Sequence, residues 1–141
     1  MSRQYDSATA AEEAFYQAFR DLDKARMQEV WVESPEACCI HPSGQLFRGW
    51  ESVLSSWASI FQAAVKPNIQ YTLINRSQHA ELAIHLVVER IGSTTAKAHA
   101  DAMVFATNVY QQTSQGWRML GHHAAQAHAE PRGPKPKQKL H

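Results

Sequence analysis

Several side chains of this sequence could transfer protons or hold a polar ligand. Eight histidines occur, and imidazole is the side chain whose ordinary pKa lies closest to neutral pH, so it suits general acid or base catalysis. Two carboxylates, Glu89 and Asp101, lie within strand-like sequence, where burial would raise the pKa of a base. Asn108 interrupts an apolar run, and its amide could orient a carbonyl or hydroxyl group. Together, these histidine, carboxylate and amide side chains indicate proton transfer on a small organic molecule.

The adjacent pair His122-His123 allows one inward imidazole, because neighbours on a strand point to opposite faces. His123 shares a face with Trp117 if the strand has no bulge. We therefore predict that His123 faces inward and is catalytic, and that His122 faces outward. Glu89 and Asn108 are the other candidate catalytic residues. For Glu89 an exposed polar face is the alternative, because which face of its strand meets the helices is undecided.

Metal binding needs several ligands that converge on one ion, which adjacent strand residues cannot do. His41, His85 and His123 would be the remaining ligands, but the sequence has no HExxH motif and no paired CxxC motifs. We expect no metal and no cofactor. Cys38 and Cys39 have no evident neighbouring base, so the sequence favours buried packing over a nucleophile.

Aromatic residues would form the wall of a ligand pocket. Trp31, Trp57 and Phe61 fall at helical spacing and would supply apolar surface. His41 closes a short strand where a polar group could meet a substrate, and Tyr110 shares a strand face with Asn108. These five residues, Trp31, His41, Trp57, Phe61 and Tyr110, are the predicted pocket.

Helices come first in the chain. Thr9-Ala10-Ala11-Glu12 reads as a capping box, and apolar residues at spacings of three and four predict two consecutive helices that end at Ser34-Pro35. A third helix is predicted from Val53 to Ala64, before Pro67.

Strands follow the helices. A short one is predicted at Ala37–His41, before a turn at Ser43-Gly44. Four long ones are predicted near Ile69–Asn75, Leu82–Ile91, Lys97–Gln111 and Trp117–Ala125, with turns at Ser77–His79, Gly92-Ser93 and Ser114–Gly116.

Three helices followed by a long antiparallel meander predict an α+β fold in which the helices cover one face of the sheet. The sheet must curve around them, which would leave a conical hollow. Such a hollow, lined by aromatic and a few polar groups, is the expected place for a small molecule.

Composition limits the classes of function. The chain has 141 residues, 44% hydrophobic and 19% charged, with a formal charge of +1, which fits one globular domain without a field that attracts nucleic acid or membranes. We predict a flexible N-terminus at 1–8, a domain at 9–128 and a disordered basic tail at 129–141. The tail, from Arg132 to Lys139, is the one segment that would contact phosphate. No membrane-spanning or secretory segment is evident, so a cytoplasmic location is expected.

Specific motifs resemble the SnoaL-like family of the nuclear transport factor 2-like superfamily. The resemblance rests on Asp21-Leu22-Asp23, Cys39-Ile40-His41-Pro42, Arg48-Gly49-Trp50, Ser56-Trp57, Ala106–Tyr110, Gly116–Leu120 and His122-His123. It implies a cone-shaped α+β barrel that is commonly dimeric through its sheet. Relatives use this barrel for isomerase, dehydratase, cyclase or hydrolase chemistry, or for assembly and transport. They often carry a serine two residues after the second histidine, where this chain has Ala125.

Two functions follow from these expectations. The first is a small-molecule-binding domain with a conical apolar pocket that acts as an enzyme of the proton-transfer type. The alternative is a non-catalytic ligand-binding or dimerisation module. Apolar residues on both faces of Leu82–Ile91 favour a homodimer through the sheet, because a sheet covered on one side should be polar on the other.

Overall fold

The structure is a computed structural model that describes residues 3–63, 65–93 and 102–134. Within these residues the structure has three helices and six strands. They are α1 (Ala8–Asp21), α2 (Lys24–Val30), β1 (Cys38–Ile40), β2 (Leu46–Arg48), α3 (Trp50–Ala63), β3 (Pro67–His79), β4 (Leu82–Ser93), β5 (Ala102–Thr113) and β6 (Gly116–Gln126). The predicted three helices and four long strands are confirmed. The short strand β2 was not predicted.

The first helix begins earlier than the sequence suggested. Ser7 is the N-cap, and its side chain accepts a hydrogen bond from the Ala10 N–H. The predicted capping box at Thr9–Glu12 is therefore wrong. The Thr9 hydroxyl instead accepts a hydrogen bond from Arg76, and Glu12 is buried on the side of α1 that faces the sheet. A glutamate read as part of a cap is thus an interior residue.

The strands form one open sheet in the order β2-β1-β6-β5-β4-β3. All neighbouring pairs are antiparallel except β1 and β6, which are parallel. The β3–β4 turn lies at Ala80-Glu81, after the predicted position at Ser77–His79. The predicted β4–β5 turn at Gly92-Ser93 lies inside β4, and the sequence from 94 to 101, with Asp101, lies outside the described residues.

The main core lies between the helices and one face of the sheet, which we call the inner face. Phe15 of α1 contacts Trp57 of α3 edge-on, with ring centroids 5.4 Å apart, and also contacts Trp31 at 6.4 Å. All three side chains are buried. Helix α1 packs across β3, β5 and β6, so it covers the middle of the inner face. This arrangement fixes which strand residues can form an interior site.

Part of the predicted flexible N-terminus is anchored in this structure. Tyr5 is buried, and its carbonyl accepts a hydrogen bond from the Trp117 N–H. Gly116 makes this contact possible, because a Cβ there would lie 2.8 Å from the Tyr5 carbonyl oxygen, and its φ of +93° disfavours other residues.

Candidate functional site

A network of buried polar side chains joins α1 to the inner face of the sheet. Its members are all at most 3% exposed, and they come from four elements: Glu12 and Tyr16 of α1, His85 and Glu89 of β4, Asn108 and Tyr110 of β5, and His122 of β6. Strand alternation places alternate residues of β4 and β5 on this face, and residues one turn apart on α1 meet them. We call these seven residues the inner network.

Glu12 is the acceptor at the centre of one half of the network. One carboxylate oxygen, Oε1, lies 3.0 Å from His85 Nδ1. The other, Oε2, accepts from the Tyr110 hydroxyl at 2.9 Å and from Asn108 Nδ2 at 3.3 Å. A buried charge is tolerated when it is paired and hydrogen-bonded. Glu12 therefore depends on these partners, and they depend on it.

Glu89 and Tyr16 form the other half. The Tyr16 hydroxyl donates to Glu89 Oε2 at 2.6 Å and accepts from Asn108 Nδ2 at 3.0 Å. Burial raises the pKa of Glu89 to about 7, the Tyr16 hydrogen bond acts against this, and Glu12 adds to the rise. Burial and the nearby Glu89 raise the pKa of Tyr16 well above its usual value. Glu89 is thus a carboxyl group that can take up or release a proton near neutral pH.

His122 ends the network. Its Nδ1 lies 2.6 Å from Asn108 Oδ1, so this nitrogen carries the proton and donates. Burial lowers the pKa of His122 to about 3, and His41 and His123 add smaller effects. The imidazole is therefore neutral at ordinary pH. His85 Nε2 is buried without a hydrogen-bond partner within the described ranges.

The predicted orientation of the histidine pair is wrong, and a β-bulge is the reason. Val109 pairs with Gly121 but Tyr110 pairs with Met119, so Leu120 is an extra residue in β6. Beyond this bulge the side chains exchange faces. His122 lies on the inner face and is buried, whereas His123 is exposed on the opposite, outer face. His123 is thus separated by the sheet from Glu89 and Asn108, the other two candidate catalytic residues, which the structure does bring together.

Two of the five predicted pocket residues line a described groove, and the other three are buried in the interior. Trp31 and Tyr110 are fully buried in the core, and His41 is 6% exposed. Trp57 and Phe61 line a groove of about 440 Å³ between α2 and α3, together with Lys24, Met27, Gln28, Trp50, Glu51, Leu54, Ser55 and Ala58. The lining of this groove includes no residue of the inner network. The conical hollow between α1 and the sheet stays a prediction.

His41 lies in the interior and not at a rim. Its Nε2 is 2.9 Å from the Ser56 hydroxyl, which itself donates to the Val53 carbonyl. Burial lowers the pKa of His41. Cys39 lies beside this imidazole and is buried, and burial raises the pKa of its thiol. Cys38, predicted as buried, is exposed.

Two absences within residues 3–63, 65–93 and 102–134 bear on other functions. In this part of the chain no group of three or more His, Cys, Asp or Glu side chains could hold a metal ion. Among the described helices, none is both long and apolar enough to cross a membrane.

Three residues of the inner network were not predicted. The sequence indicates a cap for Glu12 and assigns no role to Tyr16. Yet Glu12 lies three residues before Phe15, and Tyr16 lies three residues before Phe19, so both belong to the buried stripe of α1. His122 was placed outward because the bulge was not foreseen. Gly121 beside Leu120 is the signal that could have indicated it, because a glycine inside a strand often marks a bulge.

Comparison with solved structures defines the class of this molecule. A Thiobacillus denitrificans chain named as a calcium/calmodulin-dependent protein kinase type II association domain is 31% identical, with a TM-score of 0.85 over 89% of this chain and 99% of that chain. A Streptomyces avermitilis protein of the nuclear transport factor 2-like family, named as a dehydratase, is 28% identical, with a TM-score of 0.72 over 84% and 92%. The fold is therefore the predicted cone-shaped α+β fold of the nuclear transport factor 2-like superfamily.

Residues 9–128 match the model of the SnoaL-like domain, and the chain belongs to the SnoaL-like family. The F-box protein SKIP8 of Arabidopsis thaliana is 29% identical over 118 residues, which cover 79% of this chain and 46% of that protein. The chain thus spans about half the length of this curated relative.

Proposed function

We propose that this SnoaL-like domain is an association module that forms a homodimer through the outer face of its sheet. The observation that carries the proposal is a row of exposed apolar side chains on β4. Leu82, Ile84 and Leu86 are 42%, 43% and 37% exposed, although long apolar strands are normally covered. Contiguous exposed apolar surface is typical of a protein interface.

The strand register extends this surface across the sheet. Ile84 lies opposite Val109 of β5, which is partly exposed on the same face. At the other end of the same face, near the β2 edge of the sheet, Ile40 of β1 lies opposite Leu46 of β2. Among the described strand residues of the outer face, none is an aspartate or a glutamate. The middle of this face therefore suits an apolar partner surface such as a second copy of itself.

Two relatives support an association role. The Thiobacillus denitrificans chain, similar along nearly its whole length, carries the name of an association domain. In SKIP8 the similar region is less than half of the protein, as expected for a module that serves a larger chain. A second copy placed by a two-fold axis would present the same apolar row to itself.

Substitution on the outer face tests the dimer. Ile84→Lys places a charge in the apolar row, and Val65→Lys is the matched control, because Val65 is 71% exposed in the α3–β3 connection. Sedimentation equilibrium at micromolar concentration should show a dimer for the wild type and for Val65→Lys, and a folded monomer for Ile84→Lys. A wild-type monomer, or a dimer that Ile84→Lys leaves intact, would contradict the proposal.

Small-molecule chemistry at the inner network is the second candidate. It is favoured by Glu89, whose buried carboxyl group has a pKa of about 7 and accepts a 2.6 Å hydrogen bond from Tyr16. Glu89 would take a proton from carbon beside a carbonyl group. Tyr16 and Asn108 would exchange their hydrogen bonds within the network for bonds to the substrate oxygen that becomes negative. No cofactor is needed for this step. His123 has no part in it, because it lies on the other face of the sheet.

A substrate would have to enter between the helices, where Trp57 and Phe61 offer an apolar wall. The Streptomyces avermitilis relative named as a dehydratase supports chemistry of this type. The test is exchange of carbon-bound hydrogen for deuterium in small apolar ketones, followed by NMR. Glu89→Gln should abolish exchange that the wild type catalyses, and Glu13→Gln, an exposed neighbour of the network on α1, should retain it. Exchange that survives Glu89→Gln would exclude this role.

A further inference from the structure

His123 occupies the middle of the apolar outer face. In β6 it lies opposite Thr107 of β5 and beside Ile40 of β1, and Thr107 in turn lies opposite Leu86. The row across four strands therefore reads Ile40, His123, Thr107, Leu86. In the single chain its imidazole is exposed to solvent.

The neighbours of His123 on this face offer no negative charge. Its lateral neighbours, Ile40 and Thr107, are uncharged, and Gly121 and Ala125 flank it along β6. The next titratable side chain towards the sheet edge is the thiol of Cys38, which pairs with Arg48 of β2.

The remaining charged groups of this side of the sheet are further away. Arg90 of β4 is held by Glu130 at 3.1 Å, and His79 stands at the end of the edge strand β3. Within the described strands of the outer face, the ionisable side chains other than Cys38 are thus all basic. A carboxylate that could stabilise an imidazolium at this position is absent from that set.

We infer that His123 makes association of this domain depend on pH, with the neutral imidazole buried in the dimer and the protonated one opposing it. This inference rests on the homodimer proposed above. Burial removes solvation from an imidazolium, and none of the described strand residues of the outer face is an acid that replaces it, while Glu130, after the end of β6, is held by Arg90. A two-fold dimer also brings a second His123 to the same surface, so two positive charges would approach each other.

The direction of the effect follows from proton linkage. If the dimer excludes the proton from His123, the free chain binds more protons than the dimer in acid, so association weakens as the pH falls. Between about pH 7.5 and about pH 5.5 the dissociation constant should rise by about tenfold or more.

The experiment is sedimentation equilibrium of the full chain at both pH values, for the wild type, His123→Gln and His128→Gln. Glutamine keeps a neutral polar side chain at the position without titrating. His128 is an exposed histidine after the end of β6, so it controls for loss of a histidine elsewhere. Far-UV circular dichroism of each sample reports whether the fold persists at the lower pH.

The inference expects an acid-weakened dimer for the wild type and for His128→Gln, and a dimer of nearly constant affinity for His123→Gln. A wild-type dimer of equal affinity at both pH values would overturn the role of His123 and leave the dimer in place. Equal acid weakening in His123→Gln would assign the effect to another group and also overturn it. A chain that is monomeric at both pH values would instead contradict the homodimer.

Discussion

The inner and outer faces of β4 carry opposite kinds of side chain. Facing the helices are His85 and Glu89, both at most 2% exposed, while Leu82, Ile84 and Leu86 face outward and are exposed. A sheet with one solvated face normally shows the reverse. The inner polar groups are satisfied by α1, so directional hydrogen bonds define how this helix meets the sheet. The described residues do not cover these three outer side chains in the same way, so their stabilisation depends on a partner.

Removing the central acceptor of the inner network should give the largest effect on folding. Glu12→Ala leaves His85 Nδ1, the Tyr110 hydroxyl and Asn108 Nδ2 without their carboxylate partner. A buried donor that loses its hydrogen-bond partner costs about 1–3 kcal/mol. Urea unfolding should show a loss of at least that size in the free energy of unfolding.

Glu13→Ala is the matched control for this change. Glu13 is the next residue of α1, but its side chain is 61% exposed. Its contact to Arg20 is 3.9 Å long, and its hydrogen bond from the Tyr71 hydroxyl is solvent-exposed. Its removal should cost less than about 1 kcal/mol. If Glu12→Ala does not fold, Tyr110→Phe removes a single donor and should cost about 1 kcal/mol. Equal stabilities for the Glu12 and Glu13 variants would show that the network contributes nothing to the fold.

The pH dependence of the free energy of unfolding should reveal the ionisation of Glu89. Its folded-state pKa is raised from 4.5 to about 7. Protonated Glu89 stabilises the fold fully below pH 4.5, where the folded and the unfolded protein both hold the proton. This stabilisation is lost as the pH rises through about 7, because the unfolded chain releases the proton at a lower pH than the folded protein does. The shift corresponds to about 3 kcal/mol.

Glu89→Gln should remove this dependence, because glutamine imitates the protonated acid and can still accept from Tyr16. Urea unfolding at about pH 5 and about pH 8 should show that the wild type loses about 2.5 kcal/mol more than the variant over this interval. Other groups titrate in both proteins and cancel in the comparison. Parallel losses in the two proteins would mean that Glu89 is ionised in the fold at neutral pH.

The sequence predicted the inner face better than it predicted the orientation of single residues. The helical stripe around Phe15 and the strand runs were sufficient to place helices against a sheet, because burial of apolar surface follows from periodicity. Glu89 and Asn108 were predicted as site residues for the same reason, as polar groups in apolar strands.

Two features of the site could not be predicted from the sequence, for physical reasons. The bulge at Leu120 depends on how β5 and β6 align, and one extra residue reverses every side chain beyond it. This is why His122 and His123 exchanged faces. Glu12 has the right type and spacing for a cap, and its burial depends on His85 and Asn108, which are distant in the sequence.

A polar substitution on the outer face should have the smallest effect on the single chain, and adjacent residues of β4 provide the comparison. Leu86 is 37% exposed and Val87 is fully buried. At a concentration low enough to keep the chain monomeric, Leu86→Gln should change the free energy of unfolding by less than about 0.5 kcal/mol. Val87→Thr, which buries one hydroxyl group at nearly constant volume, should cost about 1–3 kcal/mol. A large loss for Leu86→Gln in the monomer would mean that the outer row is already covered within one chain, and the reason to expect a partner there would disappear.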